Sequence, residues 1–198
     1  NTSGLKDLYD FSKLAKKRKV IVVSINYRLG PLGWFTHPAI QDLQNGMDKA
    51  SNFGTLDIIS ALEWVNKNIS LFGGNPDNIT IFGESAGGHN VLSLLVSRKA
   101  KGLFHKAIAM SGYTESISLE DAYKQTNQTS TSNYSSSEVV NRIIDSQSYQ
   151  KNYDEYSAKE TRGILYGLSG KEFYQYYVNR ETFEELPLLT NDGLVIPK

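Results

Sequence analysis

Ser85 stands at the centre of Ile79-Thr80-Ile81-Phe82-Gly83-Glu84-Ser85-Ala86-Gly87-Gly88, with a glycine two positions away on either side. A serine hydroxyl becomes a useful nucleophile only where the backbone presents it to a substrate and where N–H donors await the oxyanion that its attack creates. The Gly-x-Ser-x-Gly spacing suits a nucleophile elbow, a sharp strand-to-helix turn that holds its central residue in a strained conformation and leaves no room for side chains two positions before and after it. Gly83 and Gly87 meet that demand. The N–H of Ala86, in the first turn of the following helix, would then point to the oxyanion, and one such donor is worth about 3 to 4 kcal/mol in acyl transfer.

The flanking sequence supplies the elements such a turn needs. Asn75-Pro76-Asp77-Asn78 is a turn cluster, and residues 79–82 read as a short strand. Val91, Leu92, Leu94, Leu95 and Val96 carry a helical apolar pattern toward Arg98 and Lys99, cations suited to a helix C-terminus. Residues 20–25 are a nearly unbroken β-branched run, expected to be a parallel strand covered on both faces. Ile58, Leu62, Val65, Ile69 and Phe72 share one helical face, and Gly73-Gly74 ends that helix. Residues 106–110 read as another short buried strand. Strands and helices alternating in this way imply an α/β architecture, a mostly parallel sheet flanked by helices.

Several blocks in order sharpen this reading: Asn26-Tyr27-Arg28-Leu29-Gly30-Pro31-Leu32-Gly33, Asn52-Phe53-Gly54-Thr55-Leu56-Asp57, Ala61-Leu62-Glu63-Trp64-Val65-Asn66, Phe72-Gly73-Gly74-Asn75-Pro76 running on through the Ser85 motif, then Gly102-Leu103-Phe104-His105-Lys106 and Ser111-Gly112. Together they resemble the type-B carboxylesterases, the cholinesterase-like branch of the α/β-hydrolases, densely over residues 20–112 and more loosely afterwards. The resemblance implies an α/β-hydrolase fold and a serine carboxylic-ester hydrolase with Ser85 as nucleophile and Ala86 in the oxyanion hole. It also implies an internal ion pair of Arg28 with Asp57, where breaking one half of a buried pair costs about 3 to 5 kcal/mol. Two roles fit Glu84 equally: electrostatic action within the gorge, or hydrogen bonding to nearby polar groups such as Ser111, itself expected to be hydrogen-bonded at a strand end.

In this fold the chain order is serine, acid, histidine. Only His89 and His105 follow Ser85, and no Asp or Glu lies between Ser85 and His105. His37 precedes the nucleophile, and His89, one helical turn beyond Ser85, reads as a packed helix residue. His105 reads as structural. The expectation is an internal fragment, inactive alone, truncated at both ends of the fold, with the Gly-rich oxyanion loop before Asn1 and the acid and histidine beyond Lys198. The Asp192-Gly193 segment resembles the one that comes before the catalytic acid. The alternative function is a cholinesterase-like adhesion or binding protein that keeps the fold without the chemistry, against which the glycine-flanked Ser85 argues.

Three segments are expected: 1–118 as hydrolase core with the elbow, 119–137 as a polar connection rich in Ser, Thr, Asn and Gln, and 138–198 as a helical cap flanking the active-site entrance. Residues 137–146 and Ser169-Gly170-Lys171-Glu172 read as helix starts, the latter a capping box. The tyrosines crowding this region, Tyr153, Tyr156, Tyr166, Tyr174, Tyr176 and Tyr177 among them, suit helix packing more than a substrate gorge.

The 198 residues include no cysteine, which excludes disulfides, thiolate nucleophiles and thiolate metal sites together. Basic and acidic side chains balance at 21 each, so no global field draws the chain to nucleic acid. The run Lys16-Lys17-Arg18-Lys19 reads as the cationic end of a helix built on Leu8, Phe11, Leu14 and Ala15. No apolar run is long enough for a membrane span. Glycosylation sequons at Asn1, Asn68, Asn78, Asn127 and Asn133 read as chance matches in a chain rich in Asn, Ser and Thr. Neither metal nor organic cofactor is implied, and the expected partner is a small-molecule carboxylic ester.

Overall fold

The computed structural model describes residues 10–124, 135–147, 151–178 and 189–198. Its contacts define two compact units, one drawn from Asn1–Arg28 and Gly54–Thr114, the other from Leu29–Phe53 and Glu115–Lys198. This division differs from the expected boundaries at 118 and 137, because residues 29–53 group with the C-terminal part of the chain.

In the first unit, helix α1 (Ser12–Arg18) carries Lys16, Lys17 and Arg18 in its last turn and ends on Lys19 in the left-handed region. Helix α4 (Phe53–Asn68) buries Ile58, Leu62 and Val65 along one face. Its helical phase changes where a 3-10 turn, Ile69–Phe72, takes over, so Ile69 is still buried while Phe72 is 62% exposed. Phe72 therefore leaves the buried stripe expected for it, at the end of the turn and directly before Gly73. Gly73, at φ 80°, closes the turn.

Strand β1 (Thr80–Glu84) pairs in parallel with β2 (Lys106–Met110), from Thr80 opposite Lys106 to Glu84 opposite Met110. Helix α5 (Ala86–Val96) makes the crossover and packs against both strands. The ladder is extended at its start by His105, whose N–H donates to the Ile79 carbonyl (2.8 Å) and whose Nδ1 accepts the Ile79 N–H (3.1 Å). Contrary to expectation, β2 is exposed along its length, and Arg98 and Lys99 fall in a separate 3-10 turn beyond the end of α5. Residues 20–25 join no ladder among the described residues, and Val20, Ile21 and Val23 are exposed. Instead they line, with Ile58, Ile81 and Leu94, an apolar cleft of ≈ 490 Å³.

In the second unit, α2 (Pro31–Trp34) and α3 (Pro38–Gln41) each begin with proline, whose fixed φ and missing N–H suit a first helical turn. Helices α6 (Leu119–Tyr123), α7 (Ser136–Ser146), α8 (Ala158–Gly167) and α9 (Gly170–Val178) follow. The expected polar connection thus begins with a helix, and residues 125–134 within it lie outside the described residues. Capping boxes start α7 (Ser135 with Glu138) and α8 (Ser157 with Glu160), and Ser169 with Glu172 does the same for α9. Val139, Val140, Ile143 and Ile144 form one apolar face of α7 and pack with Phe35, Leu165 and Tyr177. Phe173 meets Phe35 edge-to-face at 4.9 Å. Tyr176 hydrogen-bonds Ser146, and burial pushes the Tyr177 hydroxyl pKa up. These aromatics pack helices together. The Ile117–Thr190 bridge and the turn around Asp192 complete this unit.

Candidate functional site

Ser85 lies at the junction of β1 and α5 with φ 53° and ψ −119°, a conformation that L-residues rarely adopt, and it is exposed. Its side chain caps no helical N–H, which leaves the hydroxyl for other use. The turn is sharp enough that a Cβ on Gly83 would lie 2.3 Å from the Gly87 carbonyl oxygen. Only a residue without a side chain fits at 83. A Cβ on Gly87, by contrast, would meet nothing within 4 Å, so the steric demand at the two flanking glycines is one-sided.

The Ser85 N–H donates to the Met110 carbonyl at 2.9 Å, and its carbonyl accepts the His89 N–H at 3.0 Å, the bond that opens α5. The N–H groups of Ala86, Gly87 and Gly88 have no intrahelical acceptor by position, and the helix dipole adds partial positive charge there. A negatively charged oxygen placed beside Ser85 would meet donors at this helix end.

Glu84, adjacent to Ser85, is exposed, and no hydrogen bond joins it to Ser111. Ser111 sits directly after β2 with φ 50°. Arg28 and Asp57 form a bidentate pair, Nε to Oδ2 at 2.8 Å and Nη2 to Oδ1 at 2.7 Å, with the Arg28 backbone N–H also donating to Oδ2 at 2.9 Å. The pair is only partly internal, since the side chains are 50% and 25% exposed. Partial burial raises the Asp57 carboxyl, but the hydrogen bonds from Arg28 outweigh it and hold the pKa below the usual carboxylate range.

His89 meets Ser85 only through its backbone N–H, and no histidine ring hydrogen-bonds the Ser85 hydroxyl. His89 is buried in α5 with its ring 4.1 Å from that of Tyr113. His105 closes the start of the ladder. His37, in the second unit, has both ring nitrogens engaged: Nδ1 accepts the Ala39 N–H (3.1 Å) and Nε2 meets the Tyr153 hydroxyl (2.8 Å), which in turn reaches Tyr123 (3.1 Å). Burial lowers its pKa to about 4. This cluster escaped the sequence reading because its members lie 30 and 116 residues apart. Among the described residues no group of His, Cys, Asp and Glu is arranged to hold a metal ion, and no helix is long and apolar enough to cross a membrane.

A parallel βαβ unit with a strained serine between strand and helix is part of an α/β-hydrolase fold, and solved structures agree. The chain matches a thermophilic PNB esterase over its full length, with a TM-score of 0.74 and 30% identity, covering 37% of that chain. It matches a Geobacillus stearothermophilus carboxylesterase, EST55, with a TM-score of 0.75 and 32% identity, covering 38% of that chain. The chain belongs to the carboxylesterase family, whose sequence profile matches residues 1–179. Among curated relatives, a para-nitrobenzyl esterase of Bacillus subtilis is 48% identical over 120 residues, which is 61% of this chain and 24% of that protein. The pyrethroid hydrolase Ces2a of Mus musculus is 35% identical over 195 residues, 98% of this chain and 30% of that protein. The chain thus spans about a quarter to a third of the length of these relatives.

Proposed function

We propose that this chain carries the nucleophile of a carboxylic-ester hydrolase. Ser85 Oγ gives up its proton to a general base and attacks the ester carbonyl carbon, forming a C–O bond while the carbonyl electrons move onto oxygen, and that proton is the one passed to the departing alcohol. The resulting oxyanion is met by the Ala86 N–H at the start of α5. Collapse expels the alcohol, which takes up a proton, and leaves an acyl group on Ser85. Water then attacks the acyl carbon, releasing the carboxylic acid and restoring the hydroxyl. Gly83 shapes the turn, Glu84 adds a carboxylate beside the nucleophile, and the Arg28–Asp57 pair steadies the segment before Leu29. No metal or organic cofactor enters these steps, and the ester is a small molecule.

The observation that carries this reading is Ser85 itself: exposed, at φ 53°, directly before a helix N-terminus. Such a conformation is strained, and strain of this kind persists where function uses it. The test is ester turnover by the whole protein and by its Ser85→Ala variant. Loss of turnover with unchanged circular dichroism is expected, and turnover retained by the variant would sink the assignment.

A further inference from the structure

Ser85 is gripped from two sides by the end of β2 and the residues that follow it. Its N–H is held directly by the Met110 carbonyl. Its carbonyl is held by the His89 N–H, and that amide lies against Gly112. A Cβ on Gly112 would fall 2.6 Å from the Gly88 carbonyl carbon, 2.9 Å from the Gly88 oxygen and 3.0 Å from the His89 nitrogen. The contact is reciprocal, for a Cβ on Gly88 would fall 2.8 Å from the Met110 oxygen and 2.9 Å from the Gly112 Cα. Two backbones therefore meet with no side chain between them, on the amide that closes the first helical turn over Ser85. Ser111, at φ 50°, turns the chain directly before this contact. All the clashing atoms belong to backbone, so no side chain can rotate aside to make room.

We propose that Gly112 is a positioning residue for the nucleophile. Through its contact with Gly88 and His89 it sets where the first turn of α5 lies, and with it both the strained backbone of Ser85 and the direction of the Ala86 N–H. This inference rests on the reading of Ser85 as nucleophile. A side chain at 112 pushes the turn away and loosens one of the two grips. Displacement of a reacting group by about 1 Å costs roughly 100-fold in rate, so Gly112→Ala lowers kcat by about that factor while leaving ester binding, and hence KM, within about threefold.

The test compares p-nitrophenyl acetate hydrolysis by the whole wild-type protein, Gly112→Ala, Ser85→Ala and Gly163→Ala. Gly163, in α8, has nothing within 4 Å of its would-be Cβ and serves as the control. Rates are divided by the number of sites titrated with an organophosphonate, so unfolded protein does not count. A hundredfold fall in kcat for Gly112→Ala, with Gly163→Ala unchanged, is expected; wild-type kcat in Gly112→Ala with Ser85→Ala inactive removes the role of Gly112 alone. Turnover in Ser85→Ala removes the nucleophile reading instead. A second measurement needs neither turnover nor a variant that folds: hydrogen exchange of the wild-type chain. The Ser85 and His89 amides are expected to be protected as strongly as those of β2, opening with it as one cooperative unit. Fast exchange at either amide would overturn the two-sided grip.

Discussion

Gly83 and Gly87 approach so closely across the elbow that the missing Cβ of Gly83 would sit 2.3 Å from the Gly87 carbonyl oxygen, while Gly87 has open space where its own would be. Gly83→Ala must move backbone, with an overpacking cost of about 1 to 3 kcal/mol. Urea unfolding measures that loss. Gly87→Ala meets no such clash and is expected to cost less than Gly83→Ala, so equal losses would contradict the one-sided geometry.

Asn52 acts as a strand partner made from a side chain. Its Nδ2 donates to the Thr190 carbonyl (2.8 Å) and its Oδ1 accepts the Thr190 N–H (3.1 Å). Ser51 adds a hydroxyl contact to Thr190, and its N–H donates to Asp192, whose Oδ1 also accepts the N–H groups of Leu194, Val195 and Ile196. Both Asn52 and Thr190 are buried, so Asn52→Ala strands a donor and an acceptor and is expected to cost about 3 kcal/mol. A shift in the urea midpoint measures it.

His37 makes the second unit sensitive to acid. Its folded pKa of about 4 lies below the value of 6.5 for a free imidazole, because burial disfavours the charged ring. The sign follows from proton linkage: the unfolded chain binds the proton first as pH falls. Stability is therefore full above pH 6.5, declines from there toward pH 4, and the contribution is gone below it, a change of about 3 kcal/mol. Protonated Nδ1 would also face the Ala39 N–H it now accepts from. Denaturant titrations between pH 7.5 and 4 are expected to show this slope in the wild type and to flatten in His37→Asn, which keeps a capping oxygen. Equal slopes would contradict it.

The Arg28–Asp57 pair is exposed enough for solvent to screen it, so Asp57→Asn is expected to cost about 0.5 to 1 kcal/mol and not the larger sum of a buried pair. Because the folded carboxyl titrates below its free value, the contribution is present above pH 4 and fades as pH falls below it. Added salt should reduce it further. Midpoints measured in low and high salt check both statements.

The elbow was legible because strand, turn and helix are contiguous and each announces itself by local pattern. The capping box at Ser169 was legible for the same reason, whereas those of Ser135 with Glu138 and Ser157 with Glu160 appeared only in the structure. What escaped depends on partners far along the chain. The β-branched run at residues 20–25 signals burial but cannot name a ladder partner, and it pairs with none among the described residues. Phe72 fitted the apolar stripe by spacing, yet it lies exposed at the end of the 3-10 turn, where spacing carries no information about what the neighbouring chain covers. The links of Asn52 to Thr190 and of His37 to Tyr153 join residues 138 and 116 apart, at which distance periodicity carries no information. Gly112 was visible only as part of a resembling block, and its contact with Gly88 is a fact of three dimensions.

The measurement that bears most directly on the central claim is mass spectrometry of the whole protein after brief reaction with p-nitrophenyl acetate and acid quench. An acetyl group on the peptide holding Ser85, absent in Ser85→Ala, is the expected result. Acetyl found elsewhere, or turnover that continues in Ser85→Ala, would contradict the account.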